Sequence, residues 1–312
     1  MTPALRAPPG TRSLADRLAF GVVNLDKPPG PSAHQVAGWV RDLVGVDRAA
    51  HAGTLDPKVT GCLPIMLGDA TRLAPVFLEG RKEYIAVLEL HGRPPADLDG
   101  VLAEFEGEIY QKPPRKSAVA RRLRTRRIHD LTALETRDRQ VLLRIECESG
   151  TYIRKLCHDL GLALGTGAHM GDLRRTATDP FDDRDLLTLH DLADALAFAE
   201  EGDEGPIREV VAPAERVLAD LPAVTITPSA AEQVATGAPV YAPGVIDSEG
   251  SEIPRADSET SPAPRTGGTG DADADPLVAC FTPDGSAVCL GRLVGDPAAD
   301  SGTVVDLERV LV

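Results

Sequence analysis

Near Leu221 the hydrophobic pattern of this 312-residue chain changes its period. Upstream, apolar runs of strand length alternate with stretches whose apolar residues recur at helical spacing. Downstream only short β-like runs remain (AVTIT, APVYAPGVI, LVACF, AVCLGRLV and TVVDLERVLV), punctuated by Gly and Pro. Such strands fit a small barrel-like domain. The expected fold class is α+β: a mixed, largely antiparallel sheet flanked by helices, then a small β-barrel-like domain. The implied boundaries are an irregular arm over 1–17, a first domain over 18–220 and the β-rich domain over 221–312. Within the latter, Asp247–Pro276 holds eight acids, two Arg and many Ser, Gly, Ala and Pro. It cannot bury enough apolar surface to order itself and is expected to be a disordered surface insertion.

In the first domain Phe20–Asp26, Cys62–Leu67, Tyr84–His91, Ile128–Leu134 and Val141–Cys147 read as strands. Ser32 opens a helix with Val36, Trp39, Val40 and Leu43 on its apolar face. Residues 151–165 form a second helix, with Ile153, Leu156, Leu160 and Leu164 in register, and Leu189–Glu200 a third. No run approaches the roughly 20 apolar residues of a membrane span, and MTPALRAPPGTRSLADRL lacks the apolar core of a secretory signal. The five cysteines form no CxxC pair, which argues against a disulfide framework or a zinc ribbon and fits small core residues in a reducing cytoplasm.

Asp and Glu total 48 against 33 Lys and Arg, a net charge of −15, and 27 of the 33 cations are Arg. An excess of acid ordinarily argues against a nucleic-acid partner. Acid spread over the whole surface, with Lys scarce, instead suits a high-salt cytosol in which repulsion is screened. Against that background Gln111–Arg127 (QKPPRKSAVARRLRTRR) carries eight Lys/Arg and no acid. An anionic partner, nucleic-acid phosphate above all, accounts for a basic tract opposing the whole composition. Arg supplies bidentate phosphate contacts there.

Three further constellations carry possible chemistry. In His51-Ala52-Gly53-Thr54-Leu55-Asp56-Pro57, Gly53 permits unusual backbone angles and Pro57 pushes Asp56 toward an extended corner. A carboxylate held so suits a nucleophile or base, although an Asx-turn or helix cap is the bland alternative. Gly150–Lys155 sits at a strand-to-helix junction. Cations there oppose the helix dipole, so Arg154 and Lys155 are expected to answer an anion, a carboxylate such as Asp56 or a phosphate. Gly167–Thr176 reads as a Gly-bearing loop ending in paired Arg. No GxGxxG follows a strand, and no GxxxxGK[ST], HExxH or GxSxG occurs, so neither a nucleotide loop, a metal site nor a hydrolase serine is supported.

At these motifs the chain resembles the TruB/dyskerin branch of pseudouridine synthases, closest to its archaeal guide-RNA-dependent members. The resemblance spans about 18–312 and rests on VNLDKPPGPSAHQVA, HAGTLDPKVTGCLPIMLGDATRL, RKEYIAVLELHG, QKPPRKSAVARRLRTRRI and ESGTYIRKLCHDLGLALGTGAHMGDLRRT, in the family's order. The β-rich tail resembles a PUA domain, an RNA-binding pseudobarrel. Ala52 stands where a small polar residue is common, Ser32-Ala33 replaces the commoner Thr-Ser, and the acidic insertion departs from the PUA pattern.

The resemblance implies isomerisation of uridine to pseudouridine without metal or organic cofactor. The family's catalytic aspartate falls on Asp56, which attacks ribose C1′ or steers a glycal route. Tyr84 matches the tyrosine that packs on the flipped base and can take the C2′ proton, and Arg154 the arginine paired with the aspartate. His51 matches the residue filling the space the target leaves, and Leu173 a pocket wall; Lys27, Lys155, Arg121, Arg122 and Arg124 join the RNA-binding set. Extruding the base costs a few kcal/mol, offset in part by stacking. Implied substrates are the T-loop uridine of tRNA and, with box H/ACA guide RNA and small accessory proteins, rRNA, in the cytoplasm. A non-catalytic RNA scaffold or chaperone is the alternative, but it would not need Asp56, Tyr84 and Arg154 filled together. A hydrolase acting on nucleosides would need a second carboxylate flanking the bond, and none is spaced to supply it. Replacing Arg121, Arg122 and Arg124 by Ala should weaken RNA binding and lower the slope of log K against log salt by about 2, measured by filter binding across a salt series.

Overall fold

The computed structural model describes residues 5–113, 121–249 and 275–312. Its first sheet has ten strands: β1 (Phe20–Lys27), β2 (Ala49–His51), β3 (Thr60–Gly68), β4 (Lys82–Leu90), β5 (Gly107–Gln111), β6 (Arg124–Arg137), β7 (Gln140–Cys147), β8 (Ala168–Thr178), β9 (Phe181–Asp182) and β10 (Ala212–Pro213). Their order is β10-β1-β3-β8-β4-β7-β6-β5, with β2 on β3 and β9 on β8. Among the strand pairs of this sheet only β3–β8 is parallel, and it holds by two residue pairs, Thr60↔Arg174 and Gly61↔Arg175. The sheet is thus two antiparallel blocks joined at a short parallel seam.

Eight helices accompany it: α1 (Leu14–Ala19), α2 (Ala33–Val44), α3 (Val76–Glu79), α4 (Leu98–Ala103), α5 (Ile153–Ala163), α6 (Leu189–Glu200), α7 (Gly205–Val210) and α8 (Pro228–Ala235). Helices α2, α4, α5 and α6 bury their apolar stripes on one face of the sheet, where Val23, Leu25, Leu63, Ile65, Ala86 and Leu88 meet them. On the other face Phe20, Val22, Cys62 and Met66 pack with Leu277, Ala279, Leu290 and Leu311 of the second sheet. Strands β1 and β3 are covered on both faces, which explains their unbroken apolar sequence. Strand β4 alternates buried and half-buried residues along its length and is covered on one.

The second sheet comprises β11 (Ala223–Ile226), β12 (Val240–Tyr241), β13 (Val245–Glu249), β14 (Leu277–Phe281), β15 (Ala287–Leu293) and β16 (Thr303–Val310), ordered β12-β16-β15-β14-β11-β13. It forms a nearly closed barrel-like layer that α8 fills with Ala230, Ala231 and Val234. All five cysteines are buried and free.

Several local expectations change. Helix α2 buries Ala33, Val36, Ala37 and Val40, leaving Trp39 48% and Leu43 42% exposed. Two alanines let the helix lie close to the sheet, and that rotates the larger side chains outward. Gly167–Thr176, read as a loop, belongs almost wholly to β8, because it pairs along nearly its whole length with β4 in the interior of the sheet. Residues 14–17 of the supposed irregular arm start α1, and Arg12 is buried in a double hydrogen bond to Glu215. Asp247–Glu249, expected to begin the acidic insertion, end β13; the insertion's residues 250–274 lie outside the described residues.

Gly61 makes the seam possible. Its φ is +99°, and a Cβ there would meet the Arg175 carbonyl oxygen at 2.1 Å, a backbone atom that cannot yield. Gly61→Ala should therefore lower the unfolding free energy by about 3 kcal/mol, read from urea unfolding in parallel with the parent chain.

Candidate active site

The loop between β2 and β3 turns at Gly53, whose φ is +88°, and then drives Leu55 and Val59, each 3% exposed, into the core. Asp56, lying between these anchors, faces outward with its side chain 51% exposed. Its carbonyl accepts the Val59 N–H at 3.0 Å, and the Pro57 carbonyl accepts the Gly30 N–H at 2.8 Å. Lys27 holds the loop from beneath. Its Nζ donates to the carbonyls of Pro28 (2.9 Å), Pro57 (3.0 Å) and Val59 (2.8 Å), and the residue is 0% exposed. Lys27, grouped above with the RNA-binding residues, is therefore a positioning residue of this loop. All three of its protons are spent on carbonyls and none reaches solvent.

Arg154 arrives from the first turn of α5 and donates to the Asp56 carboxylate. A cation there opposes the helix dipole, and the carboxylate answers it. The start of α5 is fixed by Gln111, buried at the root of the basic tract. Its Oε1 accepts the Tyr152 N–H at 2.8 Å and its Nε2 donates to the Tyr152 carbonyl at 3.3 Å. The segment that carries Arg154 is thereby tied to the strand leading into the arginine-rich arm.

Beside this pair lies the seam. Register shifts between β4 and β8 at Glu83/Tyr84, so that Tyr84 stands opposite Arg175, with Ala86 opposite Leu173. Without that bulge Tyr84 would face Thr176; bulges of this kind re-aim side chains beside functional sites. Tyr84 and Leu173 are each 8% exposed and share a core with Leu55 and Val59. Burial pushes the Tyr84 phenol up to about 12, opposed by the neighbouring Arg175 guanidinium, so it is a neutral hydroxyl at physiological pH.

The other expected site residues fall around this centre. His51 ends β2; burial, followed by the Arg175 charge, holds its imidazole below the usual value, so it offers a neutral ring. Its Nδ1 is buried without a hydrogen-bond partner. Lys155 is engaged with Asp159 one turn along α5. Arg121 donates its Nε to the Pro113 carbonyl at 3.2 Å, Arg122 follows it, and Arg124 opens β6; residues 114–120 of that tract lie outside the described residues. Among the described residues no group of three or more His, Cys, Asp and Glu is placed to hold a metal.

Two residues escape sequence reasoning. Gln111 carries no signal beyond adjoining a basic run. Arg175 does carry one: in a strand, residues 173 and 175 share a face, so the second arginine of the pair is sent inward with Leu173. Its neighbour Arg174 points outward to Asp26, at 3.0 and 2.9 Å.

Comparison with known proteins points the same way. The family model described as TruB family pseudouridylate synthase (N terminal domain) matches residues 41–96 and 93–153, and that of the tRNA pseudouridylate synthase B C-terminal domain matches 154–219. The DKCLD domain model matches 5–37. A probable tRNA pseudouridine synthase B of Halobacterium salinarum is 64% identical over 316 residues, covering 99% of each chain. A solved Cbf5-Nop10-Gar1 complex matches with a TM-score of 0.86 at 41% identity, over 99% of this chain and 90% of that one. An H/ACA RNP bound to a substrate RNA containing 2'-deoxyuridine matches at 0.84 and 39%, over 100% and 91%.

Lys27→Met should remove the donor shared by the Pro28, Pro57 and Val59 carbonyls and lower stability by about 3 kcal/mol, with the loss read by chemical unfolding. Faster amide exchange confined to Lys58 and Val59 would place the damage in this loop.

Proposed function

Because the chain belongs to the TruB family of pseudouridine synthases, isomerases acting on uridine in RNA, we propose that Asp56 is its catalytic carboxylate, with Arg154 and Tyr84 as immediate partners. The observation that carries the assignment is the Arg154–Asp56 pair, on the loop that runs into the parallel seam where the register brings Tyr84 opposite Arg175. Both members of the pair stay about half exposed, so incoming substrate has access to the carboxylate. A buried catalytic carboxylate would demand that the whole rim open first.

Isomerisation breaks the bond from uracil N1 to ribose C1′, turns the base and forms a bond from C5 to C1′, with the C5 proton lost and N1 protonated. Asp56 serves the cleavage, as the nucleophile at C1′ or as the base for a glycal route. Tyr84, a protonated phenol at working pH, stacks on the extruded base and donates a hydrogen bond; taking a proton would require it to shed its own. Leu173 walls the pocket. Neutral His51, beside the loop, is suited to fill the stack that the target leaves, since a neutral ring stacks without holding counter-ions. Lys155, Arg121, Arg122 and Arg124 belong to the phosphate-facing surface. The reaction calls on no metal or organic cofactor.

Two RNA classes suit this site: the T-loop uridine of tRNA, and rRNA paired to a box H/ACA guide. The Cbf5 chains that this protein resembles occur with Nop10 and Gar1 and with substrate RNA. On that ground we assign it a place in a particle with small accessory proteins of that kind. The second sheet serves as a PUA-type RNA-binding domain, and five free buried thiols fit a cytoplasmic setting.

Purified chain, in molar salt that suits its acidic surface, incubated with unmodified tRNA transcript and no guide, should yield pseudouridine at the T-loop uridine, mapped at single-nucleotide resolution. Asp56→Asn should lower the rate by about 10³-fold or more while RNA affinity stays within about threefold. Product that persists in the variant would remove Asp56 from the chemistry. Product that appears only after guide RNA and accessory proteins are added would assign the particle as the working form.

A further inference from the structure

Arg175 is the largest side chain fully buried in the described structure, at 1% exposure, and among the described residues it makes no ion pair. A guanidinium removed from water without a carboxylate is costly, so its retention calls for a compensating role. Its contacts define one. Nε donates to the Cys62 carbonyl at 2.7 Å, and Nη2 donates to the Ala52 carbonyl at 3.1 Å. These carbonyls bracket the loop that presents Asp56: one lies four residues before it, the other six residues after. Nη1 lies 3.4 Å from where a Cβ on Gly53 would be, so the loop's left-handed turn is folded over the guanidinium. On the neighbouring strand Tyr84 stands directly opposite Arg175, on the same face of the sheet.

The backbone repeats what the side chain does. Arg175 pairs with Gly61 across the seam, so a single residue closes the loop at its end through the main chain and ties both its ends through the side chain. Only a fork of divergent N–H donors reaches both carbonyls at once while lying against Gly53; a lysine ammonium is a single point on a flexible stem.

Resting on the reading of Asp56 and Tyr84 given above, we propose that Arg175 is the positioning residue of the active site, holding the Asp56 loop and the Tyr84 phenol in one geometry through its buried guanidinium. It touches no substrate. Its effect is on the mutual placement of two groups that do, and displacement of either by about 1 Å costs up to 10²-fold in rate.

The test compares Arg175→Lys, which keeps the charge without the fork, and Arg175→Gln, which keeps planar donors without the charge, with Asp56→Asn and Tyr84→Phe alongside. Folding is checked by circular dichroism and thermal melting, RNA affinity by filter binding, and chemistry by single-turnover pseudouridine formation at saturating RNA. The expected result is a folded Arg175→Lys protein whose affinity is within about threefold of the parent and whose single-turnover rate falls about thirtyfold. Added to Tyr84→Phe, the same change should cost only about threefold to tenfold, since one of the two groups it holds in register has lost its hydroxyl while the Asp56 loop remains. A parent-like rate in a folded Arg175→Lys or Arg175→Gln protein overturns the proposal, as does a full thirtyfold loss in the Tyr84→Phe background. Failure of both variants to fold overturns it too, by making residue 175 a determinant of the fold. An active Asp56→Asn protein would instead sink the reading beneath it; an inactive one with parent-like Arg175 variants would leave that reading standing.

Discussion

The first sheet holds together at its weakest pairing. Two antiparallel blocks, one built on β1 and β3 and the other on β8, β4, β7 and β6, meet through Thr60↔Arg174 and Gly61↔Arg175 alone. A parallel ladder of two residues gives little hydrogen bonding. Helices packed on one face and the second sheet on the other hold the blocks together, and Gly61 lets the two backbones approach. The groups proposed above for the active site collect at this join because each block contributes some of them. The β3 side brings the loop with Asp56 and His51; the β8 side brings Tyr84, Leu173 and Arg175. Neither block contains a site by itself.

The charge distribution runs opposite to the usual expectation for an acidic protein. The surface carries the acid excess, whereas the fully buried charges include Lys27, Lys82 and Arg175, each bonded to backbone carbonyls. Carbonyl oxygens around a cation are fixed dipoles, so Lys27 and Arg175 are held without an ion-pair partner among the described residues. Burial pushes the Lys82 ammonium down to about 7, and Lys27 is also lowered. The result is a positive interior behind the Asp56 loop, on the side away from solvent.

Much of this was legible in the sequence, for reasons that can be named. Alternation in Tyr84–His91 and the heptad-like spacing in 151–165 gave strand and helix correctly, because each element buries one face only. Helix α6 starts where the capping box of Thr188 and Asp191 places it. What stayed hidden depended on partners distant in the chain. Trp39 turned outward because two alanines decided the stripe. Lys27 read as a phosphate contact because its three carbonyl acceptors, two of them some thirty residues away, leave no trace in composition. The Gly-rich start of Gly167–Thr176 looked like a loop because Gly and polar residues mark turns, and a central strand bearing an active site breaks that rule.

The apolar cluster on the second face runs without interruption from Phe20, Val22 and Met66 into Ala279, Leu290 and Leu311. Arg6 adds to it, donating to the Leu311 carbonyl at 2.8 Å and to Asp69 at 2.7 Å, and Arg292 reaches from β15 to Glu79 at 2.7 Å. The change of pattern near Leu221 is therefore a boundary in the chain and not in the core. Cooperativity follows the core: with side chains of both sheets packed in one apolar cluster, neither reaches its melting point independently of the other. A single calorimetric transition belongs to such a molecule, and a cut at the apparent boundary would leave two fragments, each with half of a hydrophobic face laid bare.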